Sequence, residues 1–162
     1  MEPSPPTLQL RQARPVDAAR VAQCYLASRK AIQALAPLPH SDEDVQRWVR
    51  DELVPTGGVT VAIESGAVVG LIAVAKRVDG EWIDQLYVHP SRFRRGIGST
   101  LLQVALMRLQ DTVRLYTFED NQVARRFFER YGFKAVAFGD GSGNESGRPD
   151  VLYERPAKLG SA

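Results

Sequence analysis

Three arginines and two closely spaced glycines follow an apolar run in residues 83–102, and this order of residue types suits the holding of an anion. A helix start presents unpaired backbone N–H groups and a partial positive charge, so Arg92, Arg94 and Arg95 beside one stack like charge on like unless a negative group belongs there. Gly96 and Gly98 let a ligand reach the backbone without meeting a Cβ, as a phosphate cradled by main-chain N–H groups requires. Two common phosphate loops do not fit. The third glycine of a dinucleotide-binding turn would fall on Leu101, and no Gly-Lys-Ser/Thr is present. The same residues also suit a tight strand-to-helix connection with solvated arginines.

The elements around this segment follow from hydrophobic period. Residues 7–14 read as a strand ended by Pro15, and Ala18, Val21, Ala22, Tyr25 and Leu26 repeat at helical spacing behind Asp17 as N-cap. Pro37 and Pro39 stop that helix, and Ser41 caps a short second one carrying Val45, Trp48 and Val49. Residues 59–64 and 67–75 form a hairpin across Ser65-Gly66, and a third strand over 81–89 follows the Asp79-Gly80 turn. Simple alternation along that strand puts Trp82, Asp84, Leu86 and Val88 on one face. A helix with Leu101, Leu102, Ala105, Leu106 and Leu109 on one side comes next, then a strand over 113–118. Asn121 caps a helix bearing Ala124, Phe127, Phe128 and Tyr131 and closed by Gly132. Strands over 133–138 and 150–154 flank a Gly/Ser/Asn/Asp-rich loop that reads as mobile.

Bulk properties narrow the class. The 162 residues suit one domain, expected over 7–156 between a disordered tail, 1–6, and a flexible one, 157–162. With 21 basic against 19 acidic residues the net charge is only +2, so nucleic acid is not implied. Cys24 is the only cysteine, which excludes a disulfide framework and a cysteine metal site; no metal is expected. The N-terminus has no basic, apolar leader and no stretch is long and apolar enough to span a bilayer, so a cytoplasmic protein that does not engage membranes is expected.

A strand ending in Val88-x-Pro90, then Gly96-x-Gly98 opening a helix, then Asn121-x-x-Ala124-x-x-Phe127-Phe128-x-x-x-Gly132-Phe133 resembles the GNAT superfamily of acyl-CoA-dependent N-acyltransferases. The order of elements agrees over about residues 7–155. The resemblance implies an α+β (mixed α/β) fold: a central, mostly antiparallel twisted sheet of about seven strands flanked by about four helices. It implies an N-acetyltransferase that moves the acetyl group of acetyl-CoA to a primary amine of a small molecule or peptide by direct attack in a ternary complex. A homodimer is common in the superfamily. The backbone of Arg94, Arg95, Gly96, Ile97, Gly98 and Ser99 would hold the pyrophosphate of coenzyme A, the strand of Leu86, Tyr87 and Val88 would pair with the pantetheine arm, and Asn121 and Phe128 would line its other side. Arg125, Arg126 and Arg130 could reach the phosphates.

Two positions depart from the family. Phe93 replaces the usual Gln or Arg before the glycines. Phe128 replaces a tyrosine that often protonates the departing thiolate, which leaves Tyr131, Tyr87 and Tyr116 as donors or the thiolate unaided. The latter is cheap: a thiol with a pKa of about 8.5 lies roughly 2 kcal/mol from ionisation at neutrality. A protonated amine has no lone pair, so a base is needed. Asp84, a carboxylate expected on an apolar strand face, is the first candidate, and pairing with an arginine is its bland alternative. Glu119 and Asp120 are second. Tyr25, His40, Trp48 and the loop over 139–149 fall where the family builds its acceptor site. Phe128 also leaves open an acyl-CoA-binding sensor or interaction domain with weakened catalysis.

Overall fold

A computed structural model describes residues 7–158, and the expectations for 1–6 and 159–162 lie outside them. The chain runs β1 (Leu8–Gln12), α1 (Ala18–Ala31), α2 (Asp42–Trp48), β2 (Val59–Glu64), β3 (Ala67–Arg77), β4 (Gly80–Val88), α3 (Ile97–Arg108), β5 (Val113–Phe118), α4 (Gln122–Arg130), β6 (Lys134–Gly139) and β7 (Asp150–Arg155). The strands form one sheet in the order β1-β2-β3-β4-β5-β7-β6. Every pairing is antiparallel except β4 with β5, where α3 provides the crossover a parallel pair needs.

Local chemistry sets most boundaries. Ser65 and Gly66 both take positive φ, 51° and 79°, as the two-residue turn of a twisted hairpin demands. The Ser41 hydroxyl accepts the Asp44 N–H, and the Asn121 side chain accepts the Ala124 N–H at 3.1 Å, so both act as helix N-caps. Asp17 does not. Its fully buried carboxylate accepts the Arg14 N–H at 2.7 Å and both terminal nitrogens of Arg11, tying β1 to the entry of α1. Lys158, expected in a flexible tail, donates its N–H to the Gln110 carbonyl.

Each face of the sheet is covered by helices. On one, Val21, Ala22 and Tyr25 of α1 and Val45 of α2 pack on Val59, Val61, Leu71 and Ala73, with Tyr87 at the margin. On the other, Ile97, Leu101, Leu102 and Leu106 of α3 and Phe128 of α4 pack on Ile72, Ile83, Leu115 and Tyr153. Fully burying side chains such as Leu101 and Leu102 contributes about 1.5–3 kcal/mol each. Gly70 of β3 admits the start of α3: a Cβ there would stand 3.0 Å from Ile97 Cγ2 and Leu101 Cδ1. Among the described residues no helix is long and apolar enough to cross a membrane.

One irregularity shapes the centre of the sheet. Against β3, Ile83 faces Val74 and Gln85 faces Ala73, so Asp84 is an extra residue in a β-bulge. The bulge reverses the alternation expected from the sequence. Leu86 and Val88 join Ile83 on the α3/α4 face, while Tyr87 lies on the α1/α2 face. A bulge also bends its strand, and pairing of β4 with β5 stops after two rungs, Glu81 with Val113 and Trp82 with Arg114. Beyond Trp82, one edge of β4 is open.

The Asp17 carboxyl is held down to about 2, first by the Arg11 hydrogen bonds, against an ordinary 3.8. A depressed folded-state value stabilises fully above the unfolded value and is lost as pH falls through the folded one, here between about pH 4 and pH 2. Asp17→Asn is therefore expected to lower unfolding free energy by about 2 kcal/mol at pH 7, with the gap from the parent narrowing over that acid range. Denaturant unfolding at a series of pH values measures this; a gap constant from pH 7 to 2 would assign the loss to packing alone.

Candidate functional site

The basic turn is built to expose backbone. His89 donates its N–H to the Val69 carbonyl at 2.8 Å, the last link of β4 to its neighbour, and Pro90 opens a short 3-10 turn whose Ser91 N–H is accepted by His89 Nδ1. Arg94 and Gly96 then take left-handed φ values of 64° and 77°. Alternation into the left-handed region points successive N–H groups into one concavity. Gly96 is the N-cap of α3 and offers no side chain, so the first-turn N–H groups of Ile97, Gly98 and Ser99 have no cap. The Ile97 side chain is buried, which leaves only its backbone for a ligand.

The arginines divide. The buried Glu64 at the end of β2 accepts from Arg92 Nε at 2.9 Å and Arg95 Nη1 at 3.3 Å. Part of the negative charge the turn calls for is thus supplied by the protein. The Arg94 side chain is exposed and in no ion pair among the described residues.

The open edge of β4 lies beside this turn. Since His89 points its N–H at β3, the period of two turns the backbone of Tyr87 the same way and that of Leu86 and Val88 outward toward β5. The outward Val88 carbonyl accepts the Ser28 hydroxyl at 3.0 Å. Across the gap, a Cβ on Gly98 would lie 3.5 Å from Val88 Cγ2 and 3.8 Å from Phe127 Cζ. Phe127, expected on the apolar face of its helix but not as a site residue, thus faces the turn. Phe128, expected to line the arm, is 8% exposed and packs between Phe127 and Phe133, because α4 turns that position onto the sheet. The Tyr131 ring packs against Phe127 farther down α4.

Two carboxylates proposed as bases differ in their surroundings. Asp84, carried to the Trp82 side by the bulge, is gripped by Arg77 through two hydrogen bonds of 2.8 and 2.9 Å, and that guanidinium lies over the Trp82 ring. It does not share a face with Leu86 and Val88 as expected. Glu119, at the end of β5, is half-buried, and no hydrogen bond or ion pair engages its carboxylate among the described residues. The neighbouring Asp120 is exposed. Arg125 is occupied with the Tyr153 hydroxyl and the Glu119 carbonyl, while Arg126 and Arg130 are exposed on α4.

On the α1/α2 face the expected acceptor residues come together. Tyr25 contacts both Trp48 and Tyr87, with ring centroids 5.4 and 5.1 Å apart. Burial pushes the Tyr25 hydroxyl up to about 12 and raises that of Tyr87. The loop over 139–149 is tied down rather than loose. Its Asn144 bonds Arg148 and Asp150, its Ser146 hydroxyl donates to the Pro37 carbonyl at 3.1 Å, and Glu145 pairs with His40. Beneath it runs a groove of about 440 Å³ lined by Tyr116, Phe118, Phe138, Asp140 and Asn144. Arg29, unanticipated from the sequence, lies over Phe118 with its Cζ 6.0 Å from the ring centroid. Its signal was legible: it continues the buried stripe of Ala22, Tyr25 and Leu26 at helical spacing.

Beyond the split sheet and the uncapped helix start, residues 25–133 match the Acetyltransferase (GNAT) family. The chain belongs to that family. It is 29% identical over 135 residues to the uncharacterized N-acetyltransferase YafP of Escherichia coli, covering 80% of this chain and 83% of that one. The peptidyl-lysine N-acetyltransferase YiaC of the same organism is 30% identical over 88 residues, 54% of this chain and 58% of that one. Among solved structures, the fold is shared with the PaiA N-acetyltransferase of Thermoplasma acidophilum in complex with coenzyme A, at TM-score 0.70 and 20% identity over 93% of this chain and 99% of that one. It is shared also with the ribosomal-protein-S18-alanine N-acetyltransferase of Escherichia coli, at TM-score 0.71 and 16% identity over 96% and 97%.

The Arg77–Asp84 pair is half-exposed, so Asp84→Asn is expected to cost at most about 1 kcal/mol of stability. It should leave the pH dependence of turnover unaltered; loss of the ascending, acidic limb of the pH–rate profile would return the base role to Asp84.

Proposed function

We propose that this protein transfers the acetyl group of acetyl-CoA to a primary amine by direct attack, with both substrates bound together. The observation that carries the reading is the uncapped start of α3, with left-handed Arg94 and Gly96, beside the outward edge of β4. The N–H groups of residues 94–99 suit a pyrophosphate, and the outward groups of Leu86 with the outward N–H of Val88 suit an amide-bearing arm that supplies the strand β5 does not. Gly98 brings the α3 backbone beside Val88 and Phe127 with no side chain of its own, and the Asn121 side-chain amide nitrogen is in no hydrogen bond among the described residues.

The thioester supplies an acyl group ready for aminolysis. Glu119 is the base: it takes one proton from the acceptor ammonium so that the nitrogen lone pair can form the C–N bond as the C–S bond breaks, and the second N–H proton, made acidic once that bond forms, is lost to water. The outward Val88 N–H faces the oxygen on which charge develops. Its carbonyl, in the next peptide plane, is bonded to Ser28, which holds the strand end beside that N–H. Phe128 can give no proton, and the thiolate leaves unaided at the modest cost set by an ordinary thiol. Burial pushes the Cys24 thiol up to about 11, which keeps it protonated and unsuited to carry an acyl group.

Acetyl-CoA and CoA are expected to raise the melting temperature where ATP does not, and acetyl-CoA with an amine panel should release free thiol. Stabilisation without thiol release from any amine would favour a sensor. Glu119→Gln is expected to lower kcat by about a hundredfold or more with CoA stabilisation kept, while Tyr131→Phe stays within about threefold of the parent. A tenfold loss in Tyr131→Phe would give that hydroxyl the thiolate's proton. Cys24→Ala should retain full turnover, and its inactivity in a folded, CoA-binding protein would refute direct attack.

A further inference from the structure

Arg29 is 7% exposed, yet among the described residues it is in no ion pair. Its Nη2 donates to the Ala36 carbonyl at 3.1 Å, and its buried Nε has no hydrogen-bond partner. A guanidinium withdrawn from water and met only by neutral groups, the Ala36 carbonyl and the hydroxyls of Tyr25 and Tyr87, is a costly arrangement, unless a negative group is to meet it. The groups around it fix what kind. Beneath lies the Phe118 ring, which lines the 440 Å³ groove. Alongside are Tyr25 and Tyr87, whose hydroxyls feel the positive charge of Arg29 and, in the opposite sense, the negative charge of Glu145. The Glu145 carboxylate, held by His40 on the loop above, disfavours a dianionic phosphate and favours a ligand that also carries a cation. The planar fork of arginine matches a carboxylate.

We propose that Arg29 binds the carboxylate of the acetyl acceptor, and that the acceptor is a small amino carboxylate of amino-acid type. The carboxylate meets the terminal nitrogens of Arg29 and the apolar body lies on Phe118, which lines the groove. The amino group is directed to the open edge of β4. Glu145 lends the groove its preference for a ligand with a positive end. Arg29 is a specificity residue here and takes no part in proton transfer. The inference rests on the acetyl-transfer reading only for its turnover arm, since binding of the acceptor can be measured without it.

The test uses the full chain loaded with CoA, a panel of the protein amino acids, and their matched primary amides, which keep the amine and remove the negative charge. At least one amino acid is expected to raise the melting temperature of the CoA-loaded protein at millimolar concentration, with its amide giving a much smaller shift. With acetyl-CoA, kcat/KM for that amino acid should exceed that for its amide by about thirtyfold, the worth of a charge-assisted bidentate contact. In Arg29→Gln the preference should fall to near unity and the shift should vanish, while stabilisation by CoA alone persists and shows the fold intact. Arg29→Lys should recover part of the preference. Amides that bind and react as well as the acids, or no amino acid that shifts the melting, would overturn the assignment. A lysine peptide that outperforms every free amino acid, with Arg29→Gln indifferent, would do the same. Binding without turnover would overturn the transfer reading and leave this one standing.

Discussion

The extra residue in β4 is the constraint on which the site depends. Without Asp84 in its bulge, β4 would continue straight beside β5 and the parallel ladder begun at Glu81 and Trp82 would extend along both strands. The backbone groups of Leu86 and Val88 would then be consumed by the sheet. The bulge bends the strand after two rungs, and Arg77, stacked on Trp82 and bonded twice to Asp84, pins the place where this happens. Trp82 is itself stacked on Tyr116 of β5, so the two strands are held together at one end and parted at the other.

The parted end separates two kinds of recognition. Toward α3 and α4 the surface offers backbone N–H groups, a glycine and a phenylalanine, features that admit a ligand by shape and main-chain polarity. Toward α1 and α2 it offers tyrosines, a buried arginine, and a loop whose acid, Glu145, is paired with His40. Neighbouring residues of α1 serve both sides: Ser28 holds the Val88 carbonyl, and Arg29 lies over Phe118.

Much of this could be read from the chain because the relevant signals are local. Glycine spacing, the Asn121 and Ser41 caps, the Ser65-Gly66 turn and the periods of α1, α3 and α4 gave the elements and the basic turn nearly as they stand. What escaped depends on contacts distant in sequence. Alternation was sound up to Ile83 and failed at one inserted residue, which moved Asp84 from the supposed apolar face to Arg77. No local rule couples Glu64 to Arg92 and Arg95, so the charge of the turn was read as larger than it is. The loop over 139–149 looked mobile by composition; its bonds to Pro37 and His40 join segments more than a hundred positions apart. Phe127 and Phe128 sit side by side in the sequence, and only the rotation of α4 decides which of them meets Gly98.

Glu64 has a consequence for how the turn discriminates. With one of its three arginine charges offset by the single Glu64 carboxylate, the turn pulls less strongly at long range than its sequence suggests, and fixed N–H dipoles acting at contact distance add to the attraction left for an anion. Mobile ions screen charges that act across a Debye length far more than dipoles touching their ligand. Such a recess favours a pyrophosphate that fits its N–H groups over anions drawn by charge alone, and the contact part of its grip is the part that ionic strength changes least.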